Sequence, residues 1–260
     1  MENVALPNKI EFSKGEDKNS GVVTIEPLYI GYGMTLGNSL RRVLLSSLEG
    51  AAVTGVKIKG ADHEFMALDN IKEDVLEIIL NLKELRVKLF TDEEVKLELH
   101  IAGKKKVIAK DIELNSDVEI INNDLEIASI TDDKGSLDIE ILVSKGLGYK
   151  MVDSDKERKE AKEIGYLEID SIFSPVSSVS LKVENVRVGK MTNWDKLLLN
   201  ITTDGTISPQ EAFNKAVKIL VEQFSVLSFD KDKKDKKTKK KEDKEKKEED
   251  VEEDKAKKDK

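Results

Sequence analysis

Glycines 31, 33 and 37 stand between an expected strand and an expected helix, the place where a phosphate-cradling loop would sit. Backbone N–H groups at such a turn can hold an anion. The Gly-x-Gly-x-x-x-Gly spacing is not the dinucleotide fingerprint, however, and no Gly-Lys-Ser/Thr follows, so a tight turn is the stronger reading. Asp62, His63 and Glu64 could be imagined as a metal or acid–base cluster, but zinc ligands on a helix lie one turn apart and these three are adjacent. His63 and His100 are the only histidines, and no Ser-His-Asp grouping stands in a recognisable context. Ser46 and Ser47 fall at an expected helix end, and Glu73, Asp74 and Glu77 on an expected solvated helix face. No catalytic constellation emerges. The remaining charged feature is the pair Arg41-Arg42, which fits either an internal salt bridge with a surface charge or an interface anchor.

The arginines lie in GYGMTLGNSLRRVLLSS, residues 31–47, a glycine-rich turn running into a helix. Leu36, Leu40, Val43, Leu44 and Leu48 recur at three- and four-residue spacing, which marks one apolar face. Thr35 is the expected N-terminal cap and Gly50 the expected left-handed C-terminal cap. Neighbouring helical positions point about 100° apart, so one guanidinium is expected to pair at home while the other faces outward.

Residues 9–14 and 21–28 read as two strands joined by a polar turn, with Pro27 ending the second. Residues 51–59 make a third. Asn70 and Glu73 resemble a reciprocal cap for an amphipathic helix carrying Val75, Ile78, Ile79, Leu82 and Leu85. Short strands are expected at 87–90, 95–101, 107–112, 118–121 and 137–143, followed by a polar, mobile loop at 145–164. The strand pattern returns at 179–188 and 195–203. Ser208-Pro209-Gln210-Glu211 is a strong helix start, with a serine cap, a proline at the first helical position and a glutamate at the third. The helix that follows has two apolar rows. Phe213, Val217, Leu220, Phe224 and Leu227 step by four and three, the seam rhythm of a coiled coil, with Ala212, Ala216, Ile219 and Val226 beside them. A second copy of the same helix is the simplest partner for the extra row.

The chain has 260 residues, 38% of them hydrophobic and 37% charged, an apolar share low for a compact globule. Residues 230–260 account for much of this, with fifteen Lys, thirteen Asp plus Glu, and only Val251 and Ala256 apolar. Such a segment cannot bury enough surface to offset its ordering entropy, so a disordered charged tail is expected. The rest keeps 29 of the 44 basic and 39 of the 52 acidic residues, a net charge of −10. That argues against extended binding of nucleic-acid backbone. Absence of cysteine excludes disulfides and thiolate metal sites. With no signal core and no long apolar run, a cytoplasmic protein without membrane contact is expected.

Five stretches carry a resemblance: residues 31–60, HEF at 63–65, IKEDVLEIILNLKEL at 71–85, DSIFSPVSSV at 170–179, and VENVRVGKMTNWDKLLLNITTDGTISPQEAF at 183–213. Together they resemble the alpha subunit of bacterial DNA-directed RNA polymerase over nearly all of residues 1–229. The resemblance implies an α+β fold, with a discontinuous dimerisation subdomain of helices packed on an antiparallel sheet (1–50 and 174–229). A mostly β subdomain (51–173) is inserted in it. It implies a homodimer that scaffolds the beta and beta-prime subunits for transcription and has no catalytic residue or cofactor of its own. Magnesium-dependent nucleotidyl transfer would belong to the large subunits, and DNA would be met only through the assembled enzyme. The residues matching the family's beta contacts are Arg42, Leu45 and Arg41. Those matching its dimer surface are Tyr32, Leu36, Leu40, Phe213, Val217, Leu220, Phe224 and Leu227. The 71–85 helix and DSIFSPV fall in regions resembling further large-subunit contacts. Met34 stands where the family usually has histidine. With the sequence ending at Lys260, the C-terminal DNA-binding domain most members carry is not expected within it, and promoter reading through that module is not carried over. Two rival readings are a nucleotide-binding enzyme built on the Gly31–Gly37 turn and a free-standing DNA-binding regulator.

Overall fold

The computed structural model describes residues 4–15, 17–152 and 165–227. The chain runs β1 (Lys9–Lys14), β2 (Ser20–Leu28), α1 (Tyr32–Ser46), β3 (Glu49–Ile58), α2 (Val75–Lys83), β4 (Val87–Leu89), β5 (Val95–Ala102) and β6 (Lys106–Ile108). It continues through β7 (Val118–Ile120), β8 (Glu126–Ser129), β9 (Ser136–Leu147), β10 (Tyr149–Lys150), β11 (Leu167–Glu168) and β12 (Ser171–Ile172). The long hairpin of β13 (Val176–Val188) and β14 (Met191–Thr203) leads into α3 (Pro209–Val226). All strand pairings are antiparallel, which makes this an α+β fold.

Two sheets organise the molecule. One has the order β1-β2-β14-β13 and so joins the first strands of the chain to the last; α1 packs across β13 and β14. The other has the order β5-β9-β3-β4-β7, with β11 also on β3, and is covered by α2. Val75, Ile78 and Leu82 of α2 are fully buried in a single apolar core with Val56, Leu97, Leu99, Ile139 and Ile141. The alternation along β5 and β9 puts every second side chain into that core, as a sheet covered on one face requires. Phe173 locks the start of β3 to the end of β9. Its carbonyl and ring lie where a side chain on Gly50 or Gly146 would have to go.

Several local expectations fail for identifiable reasons. Gly50 is not a helix cap: α1 stops at Ser46, and Gly50 already lies in β3. Thr35 is the fourth residue of α1, and its hydroxyl donates back to the Gly31 carbonyl. Pro27 does not end β2. It lies within a register shift of the β2–β14 pair, where Glu26 and Pro27 together face Lys196 and no ladder N–H is needed. The true cap of α2 is Asp74, whose Oδ1 accepts from Glu77 N at 2.7 Å. Asn70 has a positive φ of 62°, and Glu73 accepts from Ser129 N instead. The expected strand 107–112 breaks after Ile108, where Ala109–Asp111 turn as a 3₁₀-helix and Asp111 accepts from Ile108 N. The short strand β8 was not expected. The supposed loop after residue 144 is strand as far as Leu147 and again at Tyr149–Lys150, while 153–164 and the 230–260 tail lie outside the described residues. The capping box of α3 is present: Ser208 Oγ accepts from Glu211 N, and Glu211 accepts from Ser208 N.

The chain divides into two compact units, Met1–Ile219 and Leu220–Lys260. In the first, Ala212 and Ala216 of α3 are buried and Phe213 and Val217 half-buried. In the second, Leu220 is half-buried and Phe224 and Leu227 are 61% and 68% exposed.

A Cβ at Gly50 would collide with the Phe173 carbonyl oxygen, whereas one at Gly55 meets nothing closer than 3.4 Å. Gly50→Ala is expected to lower stability by about 2 kcal/mol or more, the cost of overpacking against backbone. Gly55→Ala should be near neutral. Urea unfolding monitored by circular dichroism checks both.

Candidate functional site

Helix α1 is built to show three sides. Gly33, Gly37, Leu40 and Leu44 are its buried residues and face β13 and β14. Gly33 and Gly37 let the helix lie close: a Cβ on Gly33 would meet Val183 and Asp195 at 2.9–3.0 Å, and one on Gly37 would meet Leu197 at 3.0 Å. At about 100° per residue, the outward side of α1 splits into two flanks. Asn38, Arg41, Arg42 and Leu45 share one flank and line a shallow surface hollow. Tyr32, Leu36 and Val43 lie on the opposite flank, with Tyr32 41% and Leu36 36% exposed.

The expected division of labour between the arginines is not what the structure holds. Both are exposed, and among the described residues neither makes an ion pair or side-chain hydrogen bond. No carboxylate on the same turn reaches them, so two guanidinia stand unneutralised on a chain that is otherwise acidic. Leu40 also departs from expectation. At 5% exposure it is packed in its own core and presents little surface to a partner.

The start of α1 carries the feature that the sequence hid. Gly31 N and Gly33 N both donate to Asp195 Oδ2, each at 3.0 Å. Asp195 sits in β14 and is 7% exposed. The first turn of α1 has no acidic residue and no local side-chain cap, so this distant carboxylate takes the amides and faces the positive end of the helix dipole. The anion at this helix N-terminus is therefore the protein's own. The two amides that could have cradled a phosphate are already taken, which removes the structural basis for a nucleotide loop. At the other end, Ser174 Oγ donates to the Leu45 carbonyl at 3.2 Å. Tyr29 packs edge-on against both Tyr32 and Trp194, beside the cap.

Comparison with known proteins places this geometry. Residues 56–174 match the family model of the RNA polymerase Rpb3/RpoA insert domain. The DNA-directed RNA polymerase subunit alpha of Symbiobacterium thermophilum is 50% identical over 221 residues, 84% of this chain and 69% of that protein. The same subunit of Oceanobacillus iheyensis is 47% identical over 211 residues, 81% of this chain and 66% of that protein. The chain belongs to the RNA polymerase alpha-subunit family. It spans about two thirds of the length of these relatives.

For a member of a transcription family, the remaining chemistry-bearing residues read as structural. The Nδ1 of His63 accepts from Phe65 N and only braces a turn. His100 lies exposed on β5 between Asp138 (3.0 Å) and Glu98 (3.4 Å), with Lys59 also on Asp138. No group of metal-ligating side chains converges among the described residues, and no helix there is long and apolar enough to cross a membrane. Asp195, Ser174 and Asn38 were missed. The one available hint was indirect: a helix start with neither a capping box nor an acidic first turn needs a partner from elsewhere.

The Asp138 carboxylate, then that of Glu98, raises the pKa of His100 above its ordinary 6.5. A raised folded-state value means that this pairing stabilises fully below the unfolded value and fades as pH rises through the folded one. The His100 ring resonances should accordingly titrate with a midpoint above 6.5. Asp138→Asn should move the midpoint downward, as followed by NMR.

Proposed function

We propose that this chain is the homodimeric scaffold of a DNA-directed RNA polymerase, nucleating assembly of the beta and beta-prime subunits and contributing no catalytic group or cofactor. The observation that carries the reading is the pair of unneutralised arginines beside Leu45 on an outward flank of α1. Arginine is enriched where interface energy concentrates, and a guanidinium pairs with carboxylate in charge-assisted, often bidentate, geometry. Arg42 is the central beta-subunit contact, with Leu45 and Arg41 beside it. Tyr32 and Leu36 of α1, with Phe213, Val217, Leu220, Phe224 and Leu227 of α3, form the dimer seam. The exposed apolar surface of Tyr32, Leu36, Phe224 and Leu227 and the four-three spacing of α3 support this. Leu40 backs the seam from inside.

The division into a dimerisation subdomain (1–50 and 174–229) and an inserted subdomain (51–173) is part of the proposal. One sheet draws its strands from both ends of the chain and the other from the stretch between, in keeping with such a division. Because two identical copies bind two different large partners, each arginine flank is used in one context only. Magnesium-dependent nucleotidyl transfer belongs to the large subunits, and DNA is met through the assembled enzyme in the cytoplasm.

Arg42→Ala is expected to dimerise normally and to lose beta-subunit capture about tenfold or more, a hot-spot loss. Co-purification with tagged beta measures it, and wild-type yield of assembled enzyme would refute the assignment. Truncation after Ile207 should leave monomers by sedimentation; persistent dimers would remove α3 from the seam.

A further inference from the structure

We infer that Asp195 is a positioning residue for the docking helix: by holding both amides at the start of α1, it sets the roll of that helix and so the direction in which Arg42 points. The inference rests on the docking role proposed above for Arg42.

The inward face of α1 is glycine-lined in its first half and leucine-lined in its second. Gly33 and Gly37 bring the first half of the helix close to Val183 and Leu197 with no side chain of their own, whereas Leu40 and Leu44 seat its second half in the core. In that first half, the helix is held by hydrogen bonds to its start rather than by side-chain packing. At the N-terminal end Asp195 Oδ2 receives both Gly31 N and Gly33 N, each at 3.0 Å. At the C-terminal end Ser174 Oγ meets the Leu45 carbonyl. Asp195 itself is held in mid-sheet, opposite Leu28 on one side and Asn185 on the other. The reference direction for α1 is thus taken from the β2-β14-β13 framework. Gly31 has a positive φ of 84°, which lets its N–H turn back to the carboxylate. At a side-chain radius of about 5–6 Å, a roll of about 30° carries a guanidinium about 3 Å. That is enough to break a hydrogen bond to a partner whose own carboxylates are fixed.

The test uses the full chain and tagged beta subunit, at a temperature where circular dichroism shows every variant folded. Asp195→Ala should weaken beta capture about tenfold while the sedimentation mass stays that of wild type. Asp195→Asn keeps an acceptor oxygen of the same reach and should stay within about twofold, because asparagine caps about as well as aspartate. In an Arg42→Ala background, Asp195→Ala should cost less than about a further twofold, since the residue it positions is gone. A merely structural role would give losses that multiply, and that result would overturn the inference. So would wild-type capture by Asp195→Ala alongside a full loss in Arg42→Ala. An unaffected Arg42→Ala would instead overturn the docking reading. If Asp195→Ala does not fold, Asp195→Ser, with a hydroxyl too short to serve both amides, carries the same comparison.

Discussion

A single buried carboxylate holds the start of α1, and much of the molecule is arranged to permit it. Asp195 is charged, 7% exposed and without a lysine or arginine partner among its described contacts. A buried charge is tolerated only where other groups replace water. Here the replacement is a pair of backbone amides at the positive end of a helix dipole. The arrangement also constrains its neighbours. Position 33 has no room for a side chain, because Asp195 and Val183 occupy the space, and position 31 must turn through a left-handed conformation. The glycines that look like a nucleotide motif are there so that a strand can reach a helix.

From that contact the two outward flanks of α1 follow by helix geometry. With Gly33, Gly37, Leu40 and Leu44 inward, the arginine flank and the tyrosine flank must face different ways. One is positively charged on an acidic body, the other apolar and aromatic. Such a contrast separates two kinds of association. In the function proposed above, the apolar flank serves the contact between like chains and the charged flank a partner selected by electrostatic complementarity. Because both lie on one rigid helix, a displacement of α1 would be felt by both.

What could be read from one sequence follows the range of the interaction involved. The amphipathic pattern of α2, the alternation along β5 and β9, and the capping box at Ser208–Glu211 are contained within a few residues, and each was legible. Thr35 and Asn70 misled because a capping residue was correctly sought but a better acceptor lay elsewhere: Asp195 for α1, and Asp74 for α2. Pro27 misled because the register shift that accommodates it, with Glu26 and Pro27 together opposite Lys196, depends on pairing with β14, far along the chain. The exposure of both arginines turned on the absence of a nearby carboxylate in space, which spacing along the chain does not reveal. Arg42 could be read from its residue type as either a salt-bridge partner or an interface anchor, Leu45 was legible as a candidate only through the resemblance, and Asp195 was not legible at all. It was simply the first residue of an expected strand.

The separation between Asp195 and the amides it holds has a further physical consequence. The hydrogen bonds at the start of α1 span 162 and 164 residues, and the one near its end joins Ser174 to Leu45 across 129. Both ends of the helix are therefore fixed by the second half of the chain, and such non-local contacts form only after their loops have closed. The sequence of α1 can favour a helix early, but nothing near it can set its orientation. The arginine flank takes its direction only once β13 and β14 have joined the sheet begun by β1 and β2. The strands that fix the direction of the arginine flank are thus the same ones that lead the chain into α3.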